Sequence, residues 1–374
     1  DKPTTATDAV PTKPTAQPFR EIKKTIAKTV TTGQPIKVAT SWSGIGVMEA
    51  GLDNAKSVFA SENNPKTSQH YNILHGTSYK PGDATKTTAA ELIASGATHW
   101  HVSPECTRYS CILAKTLRGS QKPDIDAANN IAKVIREARP PTFTLENVKD
   151  YQDTALFDLI TKALDESGYT SHAGVYDNAD YGGIQTRPRL ILRATLKGKL
   201  PDVPKKTAPG DWHEALSDLI AVAPESIGPK GQSNYIPPDE LSRLHNAINK
   251  GKLDGNKPII TMGGSASRGL PHAANSGGPA PTLLAGHRAP RVILPGKRGL
   301  EDATVKMVTV PMMVRMMGLP YTFVPPGTKT DAIKGLGNGI PGELTRALIQ
   351  PLMESGVAPT AAAPTPTPTP TPKD

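Results

Sequence analysis

Short apolar runs alternate with amphipathic stretches between residues 36 and 195. Helical spacing occurs around MEAGLDNA, TAAELIASG, DAANNIAKVIREAR and ALFDLITKALDESG. Strands that alternate with helices are typical of a mostly parallel sheet with helices on both faces. We therefore expect an α/β fold whose ligands bind beyond the carboxyl ends of the strands. The runs that predict these strands are IKVATSW, KSVFASE, THWHVSP, TFTLENV and RLILRAT.

The pattern changes after residue 195. Residues 196–300 are loop-rich, basic and glycine-rich, and they predict a smaller irregular domain. Helical spacing returns within residues 301–356, at VPMMVRMMGLP and GIPGELTRALIQPLMESG. Residues 1–35 form an N-terminal tail that is rich in Pro, Thr and Ala up to about residue 18, and residues 357–374 hold a Thr-Pro repeat. Both compositions predict disordered tails, because neither can bury a core.

The net charge narrows the class of partner. The chain of 374 residues carries a formal charge of +9 and has a pI near 9.3. This balance favours a polyanionic partner, because Lys and Arg that neutralise phosphates release counterions.

The chain has only two cysteines, Cys106 and Cys111, so we expect no disulfide framework. With no apolar run of about 18 residues and no signal-peptide pattern, we expect a cytoplasmic protein without a membrane span.

Three predicted strand ends carry residues suited to a nucleotide-like ligand. Gly44 and Gly46 follow the first strand, where a tight turn would let the backbone approach a ligand. Glu62 ends the second strand and Asp83 lies at the next expected strand end, and carboxylates there can accept hydrogen bonds from ribose hydroxyls. Each feature alone is also typical of a plain turn or a solvated carboxylate. The three together favour a ligand site.

Further polar residues follow the later strands. Cys106 lies in a polar loop after the strand predicted at THWHVSP, and such a position suits a nucleophile. Many cysteines, however, are small buried hydrophobes. Glu146 ends the next strand, and it could also be a helix N-terminal acid. Arg187 and Arg189 lie at the start of a strand. They would bind a phosphate or carboxylate, or belong to a solvated face.

The order and spacing of these motifs resemble the cytosine-5 DNA methyltransferases. The resemblance implies a Rossmann-like class I methyltransferase sheet. Its catalytic domain would comprise residues 36–195 and 301–356, and residues 196–300 would form the target-recognition domain. The motifs that carry the resemblance are SGIG, SEN, GD, SPECTRYS, LENV, QTRPRLIL and GNGIPGELTRAL. The chain departs from the family's usual Pro-Pro-Cys-Gln at Glu105 and Thr107.

The resemblance also implies a role for each motif residue. Glu62 would hold the ribose of S-adenosylmethionine and Asp83 its adenine amine, while Asn338 would close the pocket. Glu146 would contact N3 and the exocyclic amine of cytosine, with Arg187 assisting beside it. The full cofactor set is Trp42, Ser43, Gly44, Ile45, Gly46, Glu62, Asn63, Asp83, Pro104 and Asn338. The catalytic set is Cys106, Glu146, Gln185 and Arg187, and the DNA-binding set is Arg108, Ser110, Arg189 and Thr282. No metal is expected.

Three alternatives remain beside methylation of duplex DNA. The same motifs occur in cytosine-5 methyltransferases that act on transfer RNA. A catalytically silent DNA-binding relative has no chemical reason to keep Cys106, Glu146 and Asn338. A nicotinamide oxidoreductase is disfavoured, because G-x-G-x-x-G is not met: position 49 is Glu. As partners we expect duplex DNA and a cognate restriction endonuclease, with a monomeric enzyme encoded by a bacterium or its phage.

Overall fold

A computed structural model describes residues 35–105, 121–265, 271–286 and 290–356. Two sheets dominate this part of the chain. The larger has six strands in the order β2-β1-β3-β4-β6-β5, and the smaller has four in the order β10-β9-β7-β8. The strands of the larger sheet are β1 (Ile36–Ser41), β2 (Ala55–Ser61), β3 (His99–Val102), β4 (Thr142–Asn147), β5 (Thr170–Asp177) and β6 (Pro188–Thr195). Those of the smaller are β7 (Ile259–Ser265), β8 (Pro271–Asn275), β9 (Arg291–Gly296) and β10 (Gly299–Met307).

The larger sheet is mostly parallel, so the predicted fold class is confirmed. β1 pairs in parallel with β2 and β3, and β3 pairs in parallel with β4. β6 runs antiparallel between β4 and β5. The sequence did not predict β5, because this edge strand pairs only with β6 and exposes Thr170 and His172. Such a strand lacks the apolar pattern of its buried neighbours.

Helices cover both faces of the larger sheet. The helices of the described ranges are α1 (Val47–Ala50), α2 (Pro65–His75), α3 (Ala89–Ser95), α4 (Lys122–Ala138), α5 (Ala155–Glu166), α6 (Trp212–Val222), α7 (Pro238–Asn249), α8 (Val310–Met316), α9 (Lys329–Asn338), α10 (Gly342–Leu344) and α11 (Gln350–Gly356). Among them, α7 packs against the smaller sheet. A π-helical stretch, Thr345–Ile349, joins the last two. No helix in the described ranges is long and apolar enough to span a bilayer.

The longest helix shows how the sequence sets these elements. Pro123 lies in the first turn of α4, where a missing N–H costs nothing, and Arg139 ends the helix with a φ of 48°. Ala128, Ile131 and Ile135 fall on one face by their spacing and are fully buried. That face packs in the cluster that holds Trp100 and Phe143 of the sheet.

Three apolar clusters position the ligand-binding edge. One fills the space between the sheet and α4 and α5. A second, on the other face, packs α1 and the C-terminal helices against β1 and β6. A third joins Val47 and Leu336 to α6, α8 and strands of the smaller sheet. The predicted limits of the catalytic and target-recognition domains remain predictions.

Candidate active site

A cleft of about 480 Å³ opens where β1, β2, β3 and β4 end. Residues from each strand end line it, and the C-terminal turn of α9 lines its opposite side. The carboxyl ends of parallel strands meet at one edge of a sheet, so residues far apart in sequence converge here. The lining residues include Trp42, Ser43, Gly44, Ile45, Glu62, Asn63, His101, Ser103, Pro104, Glu146, Arg189 and Asn338.

The loop after β1 is held against the end of β2. The backbone N–H of Gly44 donates to Oε2 of Glu62 at 3.2 Å, and Oε1 of Glu62 accepts from the N–H of Asn64 at 2.9 Å. Gly46 has a φ of 78°, which a side chain rarely tolerates. A Cβ at Gly46 would also lie 1.9 Å from Nε2 of His75. These contacts fix a loop whose backbone faces the cleft.

Ser43 is an unsatisfied polar group in this loop. Its side chain is buried, yet its hydroxyl has no hydrogen-bond partner among the described residues. A buried hydroxyl without a partner is costly unless a ligand or water supplies one. Because Ser43 lines the cleft, a polar ligand group there would satisfy it.

A second cavity, of about 370 Å³, adjoins the first through residues that line both, Trp42, Asn63, Pro104 and Glu105. Asp83 lies at this second cavity. It comes directly before a 3-10 turn, Ala84–Lys86, so the prediction that it lies at a strand end is wrong. Its Oδ1 accepts from the backbone N–H of Thr85 at 3.0 Å and from the Thr85 hydroxyl at 2.7 Å. These bonds, led by that of the hydroxyl, lower the pKa of Asp83. An ionised carboxylate at this position can accept hydrogen bonds from an amine.

Glu146 is held on both of its oxygens. Nε of Arg189 lies 2.9 Å from Oε1, and the Ser103 hydroxyl donates to Oε2 at 2.6 Å. Glu146 is 4% exposed, so this carboxyl has little contact with solvent. A buried charge needs such partners. The arrangement presents a fixed carboxyl group to the cleft.

Asn147, the next residue of β4, holds the loop that follows β3. Its side-chain amide donates to the carbonyl of Pro104 at 3.0 Å, and its own oxygen accepts from the N–H of Val148 at 2.9 Å. Pro104 is thereby fixed between the two cavities. Asn147 belongs to the Leu-Glu-Asn-Val motif, but the sequence alone predicted no role for it. Its position next to Glu146 was the available signal.

A buried ladder of histidines and threonines underlies the cleft. The Thr142 hydroxyl donates to the Thr98 carbonyl, so it accepts from Nδ1 of His99 at 2.8 Å. Nε2 of His99 then accepts from the Thr144 hydroxyl at 2.9 Å, and that oxygen accepts from Nδ1 of His101 at 2.8 Å. Nε2 of His101 therefore carries a lone pair. Burial lowers the pKa of His101 to about 3, which keeps the ring neutral.

Arg187 and Gln185 link the larger sheet to later parts of the chain. Arg187 is fully buried and donates to the carbonyls of Leu283 at 2.9 Å and Gly337 at 2.6 Å. Gln185 donates to the Met316 carbonyl at 2.7 Å and accepts from the N–H of Leu283 at 3.0 Å. The arginine whose ion pair with Glu146 the structure shows is Arg189. The resemblance had implied this assisting position for Arg187 and a DNA contact for Arg189.

Thr282 and Asn338 occupy different positions relative to the cleft. The Thr282 hydroxyl donates to the Thr186 carbonyl, which anchors the segment before Leu283. Asn338 ends α9 and lines the cleft. A Cβ at Gly337 would lie 2.5 Å from the backbone N of Ala285, and one at Gly339 would lie 2.5 Å from Cβ of Val47. The two glycines thus allow the close packing that brings Asn338 to the cleft.

Three predicted site residues lie outside the described ranges: Cys106, Arg108 and Ser110. Within those ranges, no group of three His, Cys, Asp or Glu side chains is arranged to hold a metal ion. The described site also contains residues that sequence reasoning did not select, chiefly Ser103 and His101. Their place at the end of a buried strand, three and five residues before Cys106, was the only sequence signal.

Comparison with known proteins identifies related chains. The sequence model of the C-5 cytosine-specific DNA methylase family matches residues 36–354. The type II methyltransferase M.SacI of Streptomyces achromogenes is 25% identical over 355 residues, which cover 86% of this chain and 85% of that protein. The tRNA (cytosine(38)-C(5))-methyltransferase of Schizosaccharomyces pombe is 26% identical over 176 residues, covering 44% of this chain and 52% of that one.

The fold has solved counterparts. The crystal structure of S. pombe Dnmt2 methyltransferase superposes with a TM-score of 0.58 at 20% identity, covering 86% of this chain and 99% of that one. At this identity the likeness concerns the fold alone. It agrees with the mixed sheet flanked by helices.

Proposed function

Because this chain belongs to the C-5 cytosine-specific DNA methylase family, we propose that it transfers a methyl group to carbon 5 of a flipped-out cytosine in duplex DNA. The observation that carries the proposal is the buried carboxyl of Glu146. It is held by Arg189 and Ser103 in a cleft that also contains the Gly44–Glu62 contact.

Duplex DNA is the substrate that the relatives favour. M.SacI, a type II methyltransferase, aligns over most of both chains. The S. pombe tRNA methyltransferase also matches, but over only 52% of its own length. Transfer RNA is therefore the second candidate substrate. The chain's charge of +9 suits either polyanion. The loop-rich region of residues 196–300 would read the bases of a DNA site.

S-adenosylmethionine fits the residues of the two cavities. Ser43 offers an unpartnered hydroxyl and Glu62 a carboxylate on the edge of the glycine loop. Trp42 and Asp83 line the adjoining cavity, where an aromatic ring and an ionised carboxylate suit an adenine ring and its amine. The bound cofactor would supply an electrophilic methyl group on a sulfonium.

Cys106, Glu146 and Arg189 would each take part in the steps of methyl transfer. The Cys106 thiolate would add to C6 of cytosine as N3 takes up a proton from the Glu146 carboxyl, which then accepts from N3–H and from the exocyclic amine. That proton would return to Glu146 when the ring is restored. The electron pair of the enamine then forms the new bond from C5 to the methyl group, and the bond from sulfur to that methyl breaks. Loss of the C5 proton to a base expels the cysteine thiolate and restores the ring. Arg189 would hold Glu146 in place throughout.

Methyl transfer from tritium-labelled S-adenosylmethionine tests the proposal, with polymerase-amplified, unmethylated duplex DNA and transfer RNA as separate substrates. 5-Methylcytosine in the DNA is the expected product, and bisulfite sequencing would give the site. Label in transfer RNA alone would overturn the DNA substrate. Absence of label from both, with cofactor binding intact, would favour the silent relative. Cys106→Ala and Glu146→Gln should both abolish transfer while remaining folded.

We further propose a monomer that acts in a bacterial cytoplasm on host or phage DNA, beside a cognate restriction endonuclease. The support is the kind of relative found, since type II methyltransferases from Streptomyces achromogenes and other bacteria match the chain. Sedimentation of the full chain with and without duplex DNA tests the oligomeric state. A stable dimer in the absence of DNA would contradict it.

A further inference from the structure

We propose that Ser103 is a positioning residue for Glu146, and that its hydroxyl sets the orientation in which this carboxyl meets the target base. The inference rests on the proposed methylation of cytosine. Ser103 is the first residue of the SPECTRYS motif, but the resemblance implies no role for it. Its evidence is the bond of 2.6 Å from Oγ of Ser103 to Oε2 of Glu146.

The backbone geometry explains why Ser103 can do this. β3 and β4 run in parallel register, and their last pair is Val102 with Leu145. Ser103 and Glu146 each follow that pair by one residue, so their side chains emerge beside each other on one face of the sheet.

The main chain around Ser103 is fixed on both sides. Its N–H donates to the Ser41 carbonyl of β1 at 3.2 Å. The next carbonyl, that of Pro104, accepts from the Asn147 amide at 3.0 Å. Because these two bonds tie the main chain at Ser103 and Pro104 to β1 and β4, the Ser103 hydroxyl approaches Glu146 from a fixed point. A donor on a mobile loop could not fix the carboxyl in this way.

The carboxyl also keeps capacity for a base. Each carboxylate oxygen has two acceptor positions, and the structure fills one on each: Arg189 on Oε1 and Ser103 on Oε2. One position on each oxygen remains, and these can accept from the exocyclic amine of cytosine and from N3 once N3 carries a proton. With Ser103 removed, the carboxyl would be held on one oxygen only and could rotate about its last side-chain bond. The cost would appear in the chemical step more than in binding.

Single-turnover methyl transfer by the full-length enzyme tests this inference. Ser103→Ala should lower the rate constant of transfer about 10- to 100-fold, since the bond is made to a charged group. KM for DNA and for S-adenosylmethionine should change less than about twofold, because the substrates would still bind. Ser103→Thr, which keeps the hydroxyl, should recover most of the rate. Ser95→Ala is the matched control, because it removes a hydroxyl bonded at 2.7 Å to the Leu92 carbonyl, far from the cleft.

A Ser103→Ala enzyme as fast as wild type would overturn the inference. So would a slow Ser103→Thr enzyme with unchanged thermal stability, or a rise in KM without a loss of rate. Wild type and Glu146→Gln are measured alongside. If wild type methylates DNA and Glu146→Gln does not, a normal Ser103→Ala rate defeats the Ser103 inference alone. If wild type methylates only transfer RNA, the DNA proposal fails and the same comparison is made on that substrate.

Discussion

Nε of Arg189 lies 2.9 Å from Oε1 of Glu146, and both side chains are largely buried. Two residues earlier, Arg187 donates instead to the carbonyls of Leu283 and Gly337. The two arginines of one short motif thus serve different parts of the molecule: one contacts the cleft carboxyl and the other joins chain segments. This division leads to opposite expectations for their variants.

Arg189→Ala should lower kcat about 10- to 100-fold, because a charge-assisted hydrogen bond contributes about 1.5–3 kcal/mol. Arg189→Lys should recover only part of the loss, since an ammonium lacks the planar geometry of the guanidinium. Steady-state kinetics of methyl transfer checks both. Near wild-type kcat in Arg189→Ala would show that Glu146 needs no partner on Oε1.

Arg187→Met should chiefly affect stability. Methionine cannot donate the hydrogen bonds of 2.9 and 2.6 Å that the Arg187 guanidinium gives to the carbonyls of Leu283 and Gly337. We expect the free energy of unfolding to fall by about 3 kcal/mol, as for loss of partners by buried polar groups. Urea denaturation followed by circular dichroism measures it. An unchanged urea midpoint together with lost activity would assign the role at the cleft to Arg187 and the structural role to Arg189.

The histidine ladder predicts a pH dependence of stability. Burial lowers the pKa of His101 to about 3, and burial, with a further contribution from His101, lowers that of His99. In the unfolded chain both rings take up protons near pH 6.5. Between pH 6.5 and about 3 the unfolded state therefore binds more protons, and the free energy of unfolding falls as pH falls. The contribution is fully present above pH 6.5.

Urea denaturation at successive pH values checks this slope. Each ring adds up to about 1.4 kcal/mol per pH unit within the window. His101→Gln should flatten the slope by about one proton, while His245→Gln, an exposed change on α7, should leave it as in wild type. Parallel curves for wild type and His101→Gln would contradict the neutral ladder.

Gly337→Ala should disturb the end of α9. The added methyl would lie 2.5 Å from the backbone N of Ala285, and backbone cannot turn away as a side chain can. We expect a loss of about 1–3 kcal/mol in the free energy of unfolding and a raised KM for S-adenosylmethionine, because Asn338 follows directly. Gly278→Ala is the control, since a Cβ there meets nothing within 4 Å. Equal behaviour of both variants would remove the packing argument.

The sequence by itself determined the fold class and the edge of the sheet where the site lies. Apolar runs alternating with helical spacing predict a mostly parallel sheet, and residues that follow such strands converge at one edge. Gly44, Glu62 and Glu146 could therefore be expected near one another. This needs only local pattern and the geometry of parallel strands.

Only the tertiary structure decided which partners these residues meet. The edge strand β5 lacks an apolar pattern, and β6 inserts antiparallel beside β4. That insertion brings Arg189 to Glu146, whereas Arg187, just before the strand, bonds to segments about 100 and 150 residues later. Ser103 contacts Glu146 because two strands pair in one register. Such contacts depend on long-range pairing, which spacing along the chain does not encode.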